Sequence, residues 1–264
     1  MNITHQDVLR SPQLFEDGTF EYLGFITSLP KFQRRVETDV TMITADAPVF
    51  YFNAAYNTRF NGNAKQRIKE TKEFFLENGR SFVWQVTPSS QPENLGEQLI
   101  QQGGKLLESM PYMALQLDHI WRDSIPTVFH CEAVRTHEML YLWISVYCRA
   151  RAYPGDTDRL FNILSDLDLS EASPLQLILG YLGGAPVATY SVLMGSEVAG
   201  FYSLTTLPEA RGQGLGTAIS TAAADLALDR GYKTAILLSE PMSRNLCKRL
   251  GFVEARCHMD IYRF

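Results

Sequence analysis

Cysteine and histidine are scarce in this sequence of 264 residues, and neither is spaced for metal binding. The four cysteines, Cys131, Cys148, Cys247 and Cys257, include no C-x-x-C pair, and the five histidines show no pair on one helical face. A chain of this length buries enough surface to fold without disulfides, so we expect reduced thiols. We expect no metal site, because zinc sites need such spacings.

Long apolar runs and an excess of positive charge are also lacking. No run approaches the roughly 18 apolar residues that a membrane-spanning helix needs. The 24 Lys and Arg against 29 Asp and Glu give a net charge of -5, the wrong sign for binding nucleic acid through the overall field. We therefore expect a cytoplasmic protein that binds neither membranes nor nucleic acid. Nothing in the sequence identifies an interface, so the oligomeric state stays unknown.

What is present is ample material for a hydrophobic core. Hydrophobic residues make up 45% of the chain and charged residues 20%, which is typical of a globular protein. The segment IWRDSIP at 120–126 separates an apolar run from a new strand-like run and predicts a linker. We therefore predict two domains, 1–122 and 123–264.

Apolar patterning in the second domain predicts the element order β-α-α-β-β-β-α-β-α-β. Apolar residues recur at helical spacing over 137–151, and three strand-like runs joined by short glycine turns follow over 175–204. Turns that short favour an antiparallel meander. A helix over 217–230 and a strand over 234–238 precede the last helix and strand.

The first domain contains a weak copy of this ending. The segments ENG, FVWQV and ENLGEQL within 77–99 parallel DRG, TAILL and RNLCKRL within 229–250, in the same order and at similar spacing. A helix precedes each set, at 64–76 in the first domain. This recurrence predicts a structural repeat, with chance similarity as the alternative.

The most informative segment is LTTLPEARGQGLGTA at 204–218, where a strand runs through three glycines into a helix. Arg211, Gly214 and Gly216 have the spacing R-x-x-G-x-G. Backbone N–H groups in a glycine turn at a helix N-terminus bind anions, which predicts a pyrophosphate site. The spacing fits neither a Rossmann turn nor a Walker A loop. A glycine turn without a ligand is the alternative.

With this turn, the segment 127–264 resembles the GNAT superfamily of acyl-CoA-dependent N-acetyltransferases. The family pattern P-x-x-R-G-x-G-x-G is met at 208–216, and its second signature, an Asn and then K/R-L-G-F, is met by Asn245 and residues 249–252. Together with the repeat, the resemblance implies an α/β protein of two GNAT-like domains, each a mixed, mainly antiparallel sheet flanked by helices.

The resemblance implies acetyl-CoA, or a related acyl-CoA, as the acyl donor. Its pyrophosphate would lie on the N–H groups of 213–217, and its pantetheine arm along the strand edge at 204–206. A backbone N–H of that edge would stabilise the oxyanion. The implied cofactor-binding residues are Leu204, Thr205, Thr206, Arg211, Gly212, Gln213, Gly214, Leu215, Gly216, Thr217 and Asn245. Arg244, Lys248 and Arg249 either add to a basic rim or form a solvated helix face.

The implied reaction is direct attack of a substrate amine on the thioester in a ternary complex. Cys247 stands where many family members carry the tyrosine that protonates the leaving thiolate. Cys247 is either that acid or a small buried packing residue, in which case water or Tyr202 supplies the proton. Glu240, just past a strand, is a candidate general base or a helix N-terminal residue.

In the first domain the turn reads NGNAKQR at 61–67, where one glycine remains and side chains would obstruct a phosphate. This resembles tandem GNAT proteins with one inactive copy. Four aromatic residues, Tyr51, Phe52, Tyr56 and Trp84, either wall an acceptor pocket or belong to the core.

The function we expect is acetylation of an amine on a small molecule or peptide. The alternatives are a non-catalytic acyl-CoA-binding or sensing protein, or transfer of a longer acyl group or to a protein lysine. The acceptor itself is not encoded in any motif.

Overall fold

The computed structural model describes residues 4–46, 50–77, 79–122, 127–153 and 155–264, with only the backbone of Phe50. Its strands form one sheet of 11 strands. The predicted domain boundary near residue 123 falls on 123–126, outside the described residues. None of the described helices is long and apolar enough to cross a membrane.

The described residues of the first half form four helices and five strands. The helices are α1 (His5–Arg10), α2 (Pro12–Ile26), α3 (Ala64–Glu77) and α4 (Leu95–Gln101). The strands are β1 (Gln33–Val36), β2 (Thr41–Thr44), β3 (Ala54–Tyr56), β4 (Val83–Val86) and β5 (Lys105–Gln116). Single 3-10 turns lie at Phe50–Phe52 and Leu117–His119.

The second half confirms the predicted element order. Its elements are β6 (Phe129–Ala133), α5 (His137–Ala150), α6 (Thr157–Leu164), β7 (Leu175–Leu182), β8 (Ala185–Met194), β9 (Ala199–Thr206), α7 (Leu215–Asp229), β10 (Thr234–Leu238), α8 (Arg244–Leu250) and β11 (Val253–Arg263). A short 3-10 turn, Pro208–Ala210, was not predicted. The series helix, strand, helix, strand recurs as α3-β4-α4-β5 and α7-β10-α8-β11, as the repeat predicts.

The two halves exchange their last strands within the sheet. The strand order is β1-β2-β3-β4-β11-β5-β10-β9-β8-β7-β6. Thus β5 of the first half lies between β10 and β11, whereas β11 of the second half lies between β4 and β5. Both strands pair antiparallel with each neighbour. Apart from the edge strand β6, the order is symmetric about the β11–β5 pair, and each half keeps one parallel pair, β3–β4 or β9–β10.

The exchange makes the hydrophobic core continuous between the halves. Met113, Leu115 and Leu117, from β5 and the turn after it, are fully buried in the same cluster as α5, α7 and the β7–β9 meander. Side chains on alternate residues of β5, such as Tyr112 and Ala114, join a second cluster with α1 and α2. Because the faces of a strand alternate, β5 serves both clusters at once.

Candidate active site

The candidate site is a cleft that opens where two neighbouring strands diverge. β9 and β10 pair in parallel at Ala199/Ala235 and Gly200/Ile236. Beyond these pairs β9 continues along β8 as far as Thr206, and β10 continues along β5 as far as Leu238. A cleft of about 880 Å³ lies between them. The strand edge predicted to take the pantetheine arm therefore borders open space.

A β-bulge shapes this edge. The pairing of β9 with β8 shifts register around Ser203, whose φ is +57°. Thr189 Oγ1 of β8 donates a hydrogen bond to the Ser203 carbonyl at 2.9 Å and holds the bulge. Beyond it, the Leu207 N–H donates to a β8 carbonyl at 2.9 Å. Since N–H directions alternate along a strand, the Thr206 N–H and carbonyl point away from β8 and toward the cleft, where the carbonyl accepts a hydrogen bond from Arg211 Nε at 3.0 Å.

The glycine turn at the head of α7 forms the outer wall of the cleft. Gly212 and Gly214 have φ values of +77° and +79°, which side-chain-bearing residues rarely adopt. Gly216 packs on α8, where a Cβ would lie 2.8 Å from Leu246 Cδ2. The N–H groups of a helix's first turn have no intrahelical acceptors, and the helix dipole favours an anion there. The turn therefore fits the predicted pyrophosphate.

Most of the predicted cofactor-binding residues border this cleft. They are Leu204, Thr205, Thr206, Arg211, Gly212, Gly214, Leu215, Gly216 and Thr217. Gln213 and Asn245 are exposed and are not among the described residues that line it. The structure thus brings most of the predicted cofactor-binding residues together around the cleft.

The candidate basic rim divides into two pairs. Arg211 and Arg249 border the cleft. Arg244 and Lys248 instead contact Glu254, with Arg244 Nε 3.2 Å and Lys248 Nζ 3.4 Å from Oε2. Hydrogen bonding from Arg244 holds the pKa of Glu254 below its usual range. Arg211 and Arg249 are therefore the cations placed to meet a phosphate.

An ion pair lies at the inner end of the cleft. Arg151 Nη1 donates to both carboxylate oxygens of Glu240, at 2.6 and 2.8 Å. Both side chains are 28% exposed and border the cleft. No motif marks Arg151, and its sequence context indicates only the end of a helix. Its contact fixes the orientation of the predicted base.

A second carboxylate reaches the cleft from the first half. Glu108 of β5 borders it, and the Tyr51 hydroxyl donates to Glu108 Oε2 at 3.2 Å. Burial, with the charge of Glu108, raises the pKa of Tyr51, so the phenol stays neutral. Sequence reasoning missed Glu108, because only the strand exchange brings β5 beside β10.

Behind the cleft lies an inner cavity of about 210 Å³. Arg151, Leu204, Glu240 and Ser243 border both spaces. Most of the cavity wall is aromatic or aliphatic, and it includes two of the four aromatics proposed for an acceptor pocket, Tyr51 and Phe52. The other two, Tyr56 and Trp84, are buried core residues at 2% and 0% exposure.

The two candidate acids lie along the same cavity. Cys247 is 2% exposed, and burial raises the pKa of its thiol despite hydrogen bonds from Ser239 and Ser243. Burial also raises the pKa of Tyr202 far above its usual value, and its hydroxyl donates to the Gly18 carbonyl at 3.0 Å. Both groups therefore carry their protons at neutral pH.

The equivalent features of the first half are closed by its own chain. After β3 and β4 pair, Gln91 N–H donates to the Thr58 carbonyl at 3.0 Å and Phe60 N–H donates to the Gln91 carbonyl at 3.1 Å. Asn63 Oδ1 accepts the Gln66 N–H at 3.2 Å and caps α3. In the first half, the equivalent strand edge and helix N-terminus therefore form hydrogen bonds within the chain itself.

Comparison with known proteins finds a family match within the second half. Residues 137–252 match the acetyltransferase (GNAT) family. Comparison with curated proteins finds no match. The matched residues contain the glycine turn, the ion pair and α8.

Solved structures resemble nearly the whole chain. A GCN5-related N-acetyltransferase from Kribbella flavida has a TM-score of 0.70 at 16% identity, over 96% of this chain and 94% of that one. One from Sphaerobacter thermophilus has a TM-score of 0.63 at 13% identity, over 87% and 81%. A tandem GNAT protein from the clavulanic acid biosynthesis pathway has a TM-score of 0.58 at 15% identity, over 89% and 84%.

At these identities the likeness concerns the fold, which spans both halves. The match to the acetyltransferase (GNAT) family thus lies in residues 137–252, and the fold of the solved GNAT structures extends over both halves of the chain.

Proposed function

We propose that this protein transfers an acetyl group from acetyl-CoA to an amine of a small molecule or peptide within a ternary complex. The observation that carries the proposal is the single cleft between β9 and β10. It presents an open strand edge at Thr206, an anion-binding helix N-terminus at Gly214 and a carboxylate at Glu240 in one continuous space. These are the features that an amide-bearing arm, a diphosphate and a reacting amine require.

Binding of the donor relies mainly on the backbone. The Thr206 N–H can donate to a pantetheine amide as in an added strand, whereas the Thr206 carbonyl already accepts a hydrogen bond from Arg211 Nε at 3.0 Å. The first turn of α7 supplies N–H donors to the pyrophosphate, and Arg211 and Arg249 add charge. The left-handed glycines at 212 and 214 keep this surface clear of side chains.

Bound acetyl-CoA supplies the acetyl group as a thioester, and transfer forms a C–N bond, breaks the C–S bond and frees the CoA thiol. We assign Glu240 the proton that the amine gives up, because Arg151 holds this carboxylate at the junction of the cleft and the inner cavity. We assign Cys247 the proton that the leaving thiolate takes. Tyr202 is the second choice, since its hydroxyl already donates to Gly18.

The first test is thermal unfolding with acetyl-CoA, followed by free-thiol release with a panel of amines. At about 100 times the dissociation constant, binding adds roughly 2.7 kcal/mol, which corresponds to an increase in Tm of about 5 to 10 °C. We expect both this increase and turnover with an amine. Absence of the increase would contradict the proposal. Binding without turnover of any amine would favour an acyl-CoA sensor.

Replacing the proposed base tests the chemistry separately from binding. Glu240→Gln is expected to lower kcat about 100-fold, because general base catalysis contributes at least that much. The increase in Tm with acetyl-CoA should persist. A control is Glu209→Gln, which removes a carboxylate that pairs with Arg149 at 2.8 Å on the surface. A wild-type kcat in Glu240→Gln would remove Glu240 from the mechanism.

A further inference from the structure

The inner cavity is built jointly by the two halves of the chain. The first half supplies Tyr22, Tyr51, Phe52, Gln85 and Met110 to its wall. The second half supplies Trp143, Tyr147, Phe201, Leu167 and Leu237, among others. The first half, whose own cleft is closed, therefore completes the wall of a cavity that opens onto the cleft of the second half.

The size and lining of this cavity define a ligand class. An apolar cavity of about 150 Å³ holds one benzene molecule, so by proportion 210 Å³ holds about eight non-hydrogen atoms. The wall is mostly aromatic and aliphatic, which suits an apolar body. That volume matches a phenyl ring with a two-carbon chain and is too small for a stretch of peptide.

A polar atom in the cavity wall also lacks a partner. Gln85 is 3% exposed, and its Oε1 accepts no hydrogen bond from the described residues. Buried side-chain acceptors in proteins are usually satisfied by protein or water. Its position in the wall points to a ligand or water that occupies this space.

An ion pair lies where the cleft meets the cavity, and a second carboxylate, Glu108, lies on the cleft side. Arg151 is the only cation among the described residues that border both the cleft and the cavity, and it is matched by Glu240. In its contact with Tyr51, Glu108 accepts a hydrogen bond from a neutral hydroxyl and not from a cation. A carboxylate has two oxygens that accept several hydrogen bonds, so Glu108 can hold an ammonium while Tyr51 stays bonded.

We infer that Glu108 and the inner cavity form the acceptor site, and that the acceptor is a small primary amine with one compact apolar body, such as a phenylethyl group. This inference rests on the proposed acetyl transfer. Glu108 binds the ammonium, the apolar body fills the cavity, and Glu240 removes one proton. The neutral nitrogen then forms the C–N bond, and the second proton it loses balances the one taken by the CoA thiolate.

Three small compounds, 2-phenylethylamine, ethylamine and 2-phenylethanol, test the inference on the full chain. With saturating acetyl-CoA, kcat/KM for 2-phenylethylamine is expected to exceed that for ethylamine at least 100-fold. With CoA bound, 2-phenylethylamine should raise Tm, and the neutral analogue 2-phenylethanol should raise it less. This second measurement does not depend on turnover.

Two variants test separately the contributions of the Glu108 charge and of the cavity to binding of the amine. Glu108→Gln is expected to raise KM for 2-phenylethylamine at least tenfold with kcat little changed. Its matched control is Glu73→Gln, which removes an exposed carboxylate 3.7 Å from Lys69 on α3. Leu167→Phe fills the cavity and should lower kcat/KM for 2-phenylethylamine at least tenfold, with a smaller decrease in that for ethylamine.

Four results would overturn the inference. Equal kcat/KM for the two amines would overturn it, and so would no increase in Tm with 2-phenylethylamine. If acetyl-CoA still raises Tm, these two results leave the proposed acetyl transfer intact. A preference for hexanoyl-CoA over acetyl-CoA that Leu167→Phe abolishes would assign the cavity to the acyl chain. No increase in Tm with acetyl-CoA would overturn the proposed function and this inference together.

Discussion

A polypeptide of residues 123–264, the predicted second domain, is expected to show no cooperative unfolding transition by itself. It contains the whole match to the GNAT family, yet it lacks β5, which lies between β10 and β11. Without β5, both strands lose an antiparallel partner and expose unpaired edges in the middle of the sheet. We therefore expect aggregation or a collapsed state without a fixed core.

The expected loss is as large as the stability of a whole domain. Tyr112, Met113 and Leu115 of β5 are fully buried. Burial of each such side chain contributes roughly 1.5 to 3 kcal/mol, so the three contribute about 5 to 9 kcal/mol. Native domains are stable by about 5 to 15 kcal/mol in total. The second half is thus not expected to remain folded without them.

Urea denaturation followed by circular dichroism measures this effect. The matched control is the same polypeptide co-expressed with residues 1–122, which restores every strand without the covalent linker. We expect this pair to regain a cooperative transition and the increase in Tm with acetyl-CoA. A cooperative transition of 123–264 alone, with acetyl-CoA binding, would contradict the dependence on β5.

Gly214→Glu is expected to abolish acetyl-CoA binding and to lower kcat/KM about a thousandfold. Gly214 is the N-cap of α7, and its left-handed φ of +79° is unfavourable for any side chain. The added carboxylate would lie at the helix N-terminus where the pyrophosphate is proposed to bind. Two like charges 4 Å apart near a protein surface cost about 4 kcal/mol, which is a factor of about a thousand.

The first half offers a matched control for backbone strain. Gly62 also has a left-handed φ, +106°, and it precedes α3 as Gly214 precedes α7. Gly62→Glu should lower the Tm of the free protein by a similar amount but keep the increase in Tm with acetyl-CoA. A wild-type increase in Gly214→Glu would show that the donor does not lie on this turn. If both variants lost the increase in Tm with acetyl-CoA, the loss would be due to general destabilisation of the protein.

Local pattern was sufficient to predict the elements of the second half. The spacing of apolar residues between His137 and Arg151 predicted α5, and the glycine spacing at 212–216 predicted the head of α7. These features depend on residues a few positions apart, because helix periodicity and left-handed turns are properties of short segments. The sequence likewise indicated that the first half had lost its glycine turn.

The closure of the first cleft needed the tertiary structure. The glycine count at 61–67 predicted that a phosphate would be obstructed, but it did not predict that Gln91 fills the strand edge between Thr58 and Phe60. That contact joins residues about 30 positions apart with no motif between them. Arg151 was missed for the same reason, since its partner Glu240 is 89 positions away.

By itself, then, the sequence determined the family resemblance, the order of elements and the glycine turn, all of which are written in short-range spacing. The tertiary structure alone decided that β5 and β11 exchange places and that Glu108 and Tyr51 reach the site of the other half. The apolar pattern of a strand specifies which face is buried, whereas its neighbour is chosen by pairing between segments far apart in the chain. β5 is buried on both faces over residues 112–115, and β5 and β11 each pair only with strands of the other half, so their positions depend on the folded sheet as a whole.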